Sequence, residues 1–105
     1  MADHAAAIKK YAPNADEAVV AGLLRTYALV LGKPDAAVVA LSDAGERETV
    51  KKNFLKKKLG LTNEDEWDAA LDEVAAAMKG DRAKSRAAVY YLLADKFGRL
   101  DLFKK

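Results

Sequence analysis

The chain has 105 residues, 51% hydrophobic and 32% charged, and its 18 basic and 16 acidic side chains leave a net charge of +2. That length suits one domain with a single core, and the near balance of charge excludes wholesale attraction to nucleic acid or membrane, so an electrostatic partner must be met by a local patch. No cysteine is present, which excludes disulfides and thiolate metal sites and fits a cytoplasmic protein.

The opening MADHAAAIKKYAP lacks a basic segment followed by a continuous apolar run, so no secretory signal is expected. Asp3 can cap a first short helix with Ile8 and Tyr11 on its apolar side. Pro13 ends it, because the residue before a proline is pushed out of helical geometry. Asn14 then caps a second helix, with Asp16 and Glu17 in a first turn where the macrodipole favours anions. Val20, Leu23, Leu24, Tyr27, Val30 and Leu31 cover so much of this helix that a central position is expected, and Gly32 stops it. Gly22, Arg25 and Thr26 interrupt the same stretch, which is too short and too polar to span a membrane.

Pro34 and Asp35 open a short helical segment through Val38, Val39 and Leu41. Ser42 or Asp43 starts the next helix, which runs to Gly60. Thr62 caps its successor, on which Trp67, Leu71, Val74 and Met78 line a single face up to Gly80. Asp81 caps a last long helix carrying Val89, Tyr90, Leu93 and Phe97 and ending at Gly98, and Leu100, Leu102 and Phe103 are apolar enough to fold back onto the body. No sustained strand alternation and no Asn-Gly or Asp-Gly hairpin signal occurs. The expectation is a single all-α domain, a compact bundle of five or six short-to-medium helices.

Two basic groups stand out. The first, Lys56, Lys57 and Lys58, precedes Gly60 and an acidic block at 64–66. Cations in a last helical turn, a left-handed glycine, Leu61 folding back on Leu55 and acids in the next first turn are what two consecutive helix ends require. At about 100° per residue, however, Val50 and Phe54 lie well round the helix from Leu55 and Leu59, and Arg47, Lys51 and Lys58 fall between the two pairs. Such cations either lay their stems over apolar neighbours or meet acids of the following helix. The second group, KGDRAKSR, contains Arg82, Lys84 and Arg86. Lys84 and Ser85 are expected to project away from the apolar face. Arg86 precedes Val89, Tyr90 and Leu93 by three, four and seven residues, which places it on that face, half-buried or more and in need of a carboxylate or carbonyl partner.

Catalytic and cofactor chemistry finds little material. His4 is the single imidazole, so no histidine triad or metal cluster can be assembled, and the glycines form no phosphate-cradling loop. Tyr90 and Tyr91 point about 100° apart on a helix and cannot share one site. No cofactor, metal or membrane contact is expected. The segment 67–97, a helix, a turn and a helix whose first residues are basic, resembles a helix-turn-helix, although the preceding helix would turn an acidic face to the phosphates.

The segments LKKKLGL and DRAKSRAAVYYLLADKFGRL, with the opening MADHAAAIKKYAPNADEAVV, together resemble the small bacterial proteins grouped as domain of unknown function 2853. The resemblance runs over essentially the whole chain. It implies a stand-alone helical protein with no assigned activity and transfers no functional residue. The function expected is non-enzymatic binding of a protein partner or of a second copy, with Lys56, Lys57, Lys58, Arg82, Lys84 and Arg86 as the candidate anion or partner contacts. Nucleic-acid binding through 67–97 is the alternative.

Overall fold

The computed structural model describes residues 4–33, 38–39, 41, 43–62, 64–79 and 84–103. The expected caps Asp3, Ser42 and Asp81, the segment start at Pro34 and Asp35, the stop at Gly80 and the candidate contact Arg82 lie outside them. In chain order the elements are α1 (His4–Tyr11), α2 (Glu17–Thr26), α3 (Ala28–Leu31), β1 (Val38–Val39), α4 (Ala44–Val50) running on as a π-helical segment (Lys51–Lys56), α5 (Glu64–Ala77), β2 (Lys84–Ser85), α6 (Arg86–Lys96) and a 3-10 turn (Leu100–Phe103). The helical class is as expected. No helix is long and apolar enough to cross a membrane among the described residues.

Helix α1 stops before Pro13, as a proline demands, and Ala15 N–H donates to Ala12 O at 3.0 Å in the turn that follows. This turn absorbs Asn14, so the cap of α2 is not Asn14 but Asp16, whose extended backbone (φ −68°, ψ 121°) lets Oδ1 accept from Ala18 N–H at 2.9 Å. The long second helix expected from the sequence is broken at Tyr27 (φ −108°, ψ 21°). Thr26 Oγ1 donates to Gly22 O at 2.7 Å, and a hydroxyl bonded back to the carbonyl four residues earlier bends a helix. The short α3 then runs to Gly32.

Val38 and Val39 are not helical. They pair antiparallel with β2, Val38 opposite Ser85 and Val39 opposite Lys84. Two adjacent β-branched residues suit an extended backbone better than a helix, and Val39 is buried on the core side. The same pairing takes Lys84 and Ser85 out of the last helix. Ser85 is its cap instead, with φ −61°, ψ 127° and its hydroxyl accepting from Ala88 N–H at 3.4 Å.

Asp43 caps α4 by accepting from Glu46 N–H at 3.3 Å. Helix α5 buries Trp67, Leu71 and Val74 as expected, and Met78, just past its end, is buried as well. The core draws on every helix and centres on α6, where residues 86–91 are all buried. Gly98 closes α6 at φ +67°, and the chain then folds back in the 3-10 turn, burying Phe103 against α2. A Cβ on Gly22 would lie 1.7 Å from Phe103 O, so this docking of backbone on helix needs a glycine there.

Candidate functional site

The two basic groups of the sequence meet in space through one aromatic column. The ring of Phe54, from the π segment, stacks on Tyr90 with centroids 4.0 Å apart and planes at 10°, and it lies near-parallel to Phe103 at 6.3 Å. Tyr27 packs against all three, closest to Tyr90 at 5.0 Å and edge-on. Burial pushes the Tyr27 phenol up, with Tyr90 adding to the effect and Arg86 opposing it.

Cations cap both ends of this column. Lys58 Nζ lies 5.3 Å from the centroid of Phe103, and the Arg86 guanidinium lies 5.5 Å from that of Tyr90. Arg86 also donates from Nη1 to Tyr90 OH at 2.8 Å and pairs with Glu46 at 3.7 Å. At 7% exposed it is the buried, partnered arginine its spacing predicts.

The π segment explains the awkward helical wheel. Leu59 N–H donates to Phe54 O at 2.9 Å and Lys57 N–H to Lys52 O at 3.3 Å, each spanning five residues instead of four. One extra residue in the turn brings Val50, Phe54, Leu55 and Leu59 to a common side, and all four are buried. The widening carries into the cap. Gly60 sits at φ +69°, and Leu61 N–H reaches Leu55 O at 3.0 Å, one residue further back than the usual glycine-terminated helix end. The sequence does carry the signal, in the double spacing Val50–Leu55 and Phe54–Leu59, but a uniform wheel conceals it.

Arg47 and Lys51 meet the acids of α5, one of the two outcomes their positions allow. Arg47 donates to the carbonyls of Leu41 and Asp68 at 3.3 and 3.2 Å and pairs with Asp68 and Asp72 at 3.3 and 3.0 Å. Lys51 pairs with Asp68 at 2.7 Å and Glu48 at 3.5 Å. Hydrogen bonding from Lys51, with help from Arg47, holds the Asp68 carboxyl below its usual value, and the bond to Asp68 raises the Lys51 ammonium. On the other side of α5, Lys96 pairs with Glu73.

Lys56 and Lys57 are exposed and make no ion pair among the described residues, and Lys52 shares both properties. Sequence reasoning recognised that Lys52 points outward but did not count it among the contacts. Of the candidate contacts, then, Lys56 and Lys57 stand together on the surface, Lys58 is half-buried on the column, and Lys84 is half-buried in β2. In the segment 67–97, α6 begins at Arg86 and its first six residues are buried, so these positions face the core rather than solvent.

A family model described as protein of unknown function (DUF2853) matches residues 3–101, and the chain belongs to that family. No curated protein matches it.

Proposed function

We propose that this member of the family is a cytoplasmic, non-enzymatic protein-binding domain that associates with a second copy of itself. Its contact surface is the solvent face of the π segment, Lys52, Lys56 and Lys57, together with Glu64 and Glu66 in the first turn of α5. The observation that carries this is the division of the cations along one helix: Arg47, Lys51 and Lys58 are spent inside the molecule, and three lysines remain exposed without an ion pair among the described residues. Glu64 and Glu66 are exposed as well. The two sets flank Gly60, so a two-fold axis near that glycine brings the lysines of each copy onto the glutamates of the other, the self-complementary arrangement that two-fold dimers use. Exposed ion pairs contribute little individually, so the association is weak and salt-sensitive.

Sedimentation velocity at high micromolar concentration tests this. A dimer is expected at low salt and a monomer at high salt. The variant K56E/K57E is expected to stay monomeric, as is E64K/E66K, and mixing the two is expected to restore a dimer. A wild-type monomer at low salt overturns self-association. Duplex DNA is the competing partner in the same assay: binding that falls steeply with salt and disappears in K56E/K57E, without a dimer, would reassign the lysines to nucleic acid.

A further inference from the structure

The 3-10 turn that follows α6 packs on α2 as a strap. Phe103 anchors it, 2% exposed, with its ring near-parallel to Phe54 and under Lys58 Nζ. Its backbone sits so close to α2 that a Cβ on Gly22 would collide with Phe103 O. Little else holds it. The strap's backbone bonds run back to α6 or within itself, Arg99 N–H donating to Ala94 O at 2.7 Å and Leu102 N–H to Arg99 O at 3.2 Å. Among the described residues no hydrogen bond or ion pair joins Arg99–Phe103 to α2, and Arg99, Asp101 and Leu102 are exposed.

We propose that this strap is an exchangeable latch: it swings about Gly98, and its Phe103 seats in the groove beside Gly22 of a second copy of the chain. The groove commits to that occupant because the strap is the segment it already fits, and every copy carries both groove and strap. Exchange of one segment between identical chains closes as a two-fold dimer. The hinge, Gly98, is exposed and at φ +67°, a left-handed conformation that glycine enters and leaves without steric cost. With Gly98 in right-handed helical geometry instead, α6 runs on through Arg99–Phe103, a stretch free of glycine and proline. At about 1.5 Å per residue, that carries Phe103 roughly 10 Å past Lys96, away from its own groove and out towards a neighbour.

The balance between the closed and exchanged forms rests on the hinge, since both bury the same side chain in the same groove. What an open monomer loses, the packing of Phe103 against Phe54 and Tyr27, the dimer regains. Salt screens charges but leaves such an apolar contact in place. The exchange also uses none of Lys56, Lys57, Glu64 and Glu66. It is therefore separable from the ionic pairing of those residues, and either mode of association can fail without the other.

Sedimentation velocity of the full chain at high salt, in the K56E/K57E background that removes the ionic dimer, reads the latch alone. The first variant is Gly98→Ala. A Cβ there meets nothing within 4 Å, so the substitution acts through the backbone preference. It is expected to disfavour each closed latch roughly fivefold and, with two latches opened per dimer, to raise the dimerisation constant roughly 25-fold. Gly98→Asn, which tolerates the left-handed turn, is expected to stay within about threefold of the parent. Added to Gly98→Ala, Gly22→Ala fills the groove while favouring helix at α2 and is expected to abolish the dimer. Phe103→Ala, which removes the anchor and leaves α2 untouched, is expected to abolish it as well, so the block does not depend on one variant. A Gly98→Ala chain that stays monomeric at millimolar concentration, a Gly98→Asn chain that dimerises as strongly, or a dimer that survives Gly22→Ala and Phe103→Ala would overturn the exchange.

Discussion

Lys56–Lys58 and Lys84–Arg86 look alike in the sequence, short basic runs beside a glycine or a serine, yet the structure uses them in opposite ways. The first lies on a helix whose apolar residues all face inward, so two of its three lysines reach water and only Lys58 turns to the core, over Phe103. The second sits where an extended pair passes into a buried helix, and there Arg86 goes inside and bonds Tyr90 and Glu46. In α6, Val89 and Tyr90, three and four positions on, share a face with Arg86 and draw it in. In the widened turn, Leu55, Leu59 and Phe54 stand three positions from Lys52, Lys56 and Lys57, yet they face the core while the lysines stay exposed, so spacing decides a cation's fate only together with the local helix geometry.

The largest effect that can break this contrast is at Arg86. Arg86→Ala leaves the Tyr90 hydroxyl without its donor and a space in the core, and the expected cost is about 3 kcal/mol in urea-induced unfolding. A cost below about 1 kcal/mol would place Arg86 with the surface cations. At the other end of the column, Lys58→Met keeps the stem and removes the charge over Phe103. The expected loss is about 0.5 kcal/mol, and a loss equal to that of Arg86→Ala would erase the distinction between the two ends.

A smaller effect, visible through its pH dependence, belongs to the pair between α4 and α5. Asp68 is held below its ordinary value of 3.8, so its contribution is complete above that value and is lost as pH falls through the lower folded-state value. Lys51 is held above 10.5, so its contribution is complete below that pH and disappears as pH rises through the higher folded-state value. The unfolding midpoints of wild type and Lys51→Met are therefore expected to differ by a constant amount across the neutral range and to converge at both extremes. A difference that persists into strong acid would assign the effect to packing of the lysine stem. Smallest of all, Lys56→Ala and Lys57→Ala are expected to change stability by no more than about 0.5 kcal/mol, measured by the same denaturation, while weakening self-association at low salt.

Much of this was legible in the residues. Trp67, Leu71, Val74 and Met78 announce their face by spacing, Gly60 and Gly98 announce helix ends, and the position of Arg86 predicts both its burial and its need for a partner. The misses share a cause: each turns on something beyond one element's own periodicity. Asp16 displaces Asn14 as a cap because the turn after Pro13 consumes a residue. Val38 and Val39 become extended because β2 is there to pair with them. The break at Tyr27 follows a single hydroxyl bonded to Gly22. Of the candidate surface, spacing marks Lys56 and Lys57, and it marks Lys52 as outward-facing too, but the internal pairing of Arg47 and Lys51 that singles these three out appears only when α5 packs beside the π segment.

The widened turn at Lys51–Lys56 also bears on ancestry. A helix that carries one residue more than its neighbours' spacing requires has the form of an absorbed insertion, in which the extra residue is stored in a bulge and the flanking apolar positions keep their places. Deleting Asn53, which is exposed within that segment, would return the ladder to its ordinary four-residue step without displacing the ends. The segment is thus a position at which a lineage can gain or lose a residue while Arg47 stays on α5 and Gly60 keeps its turn.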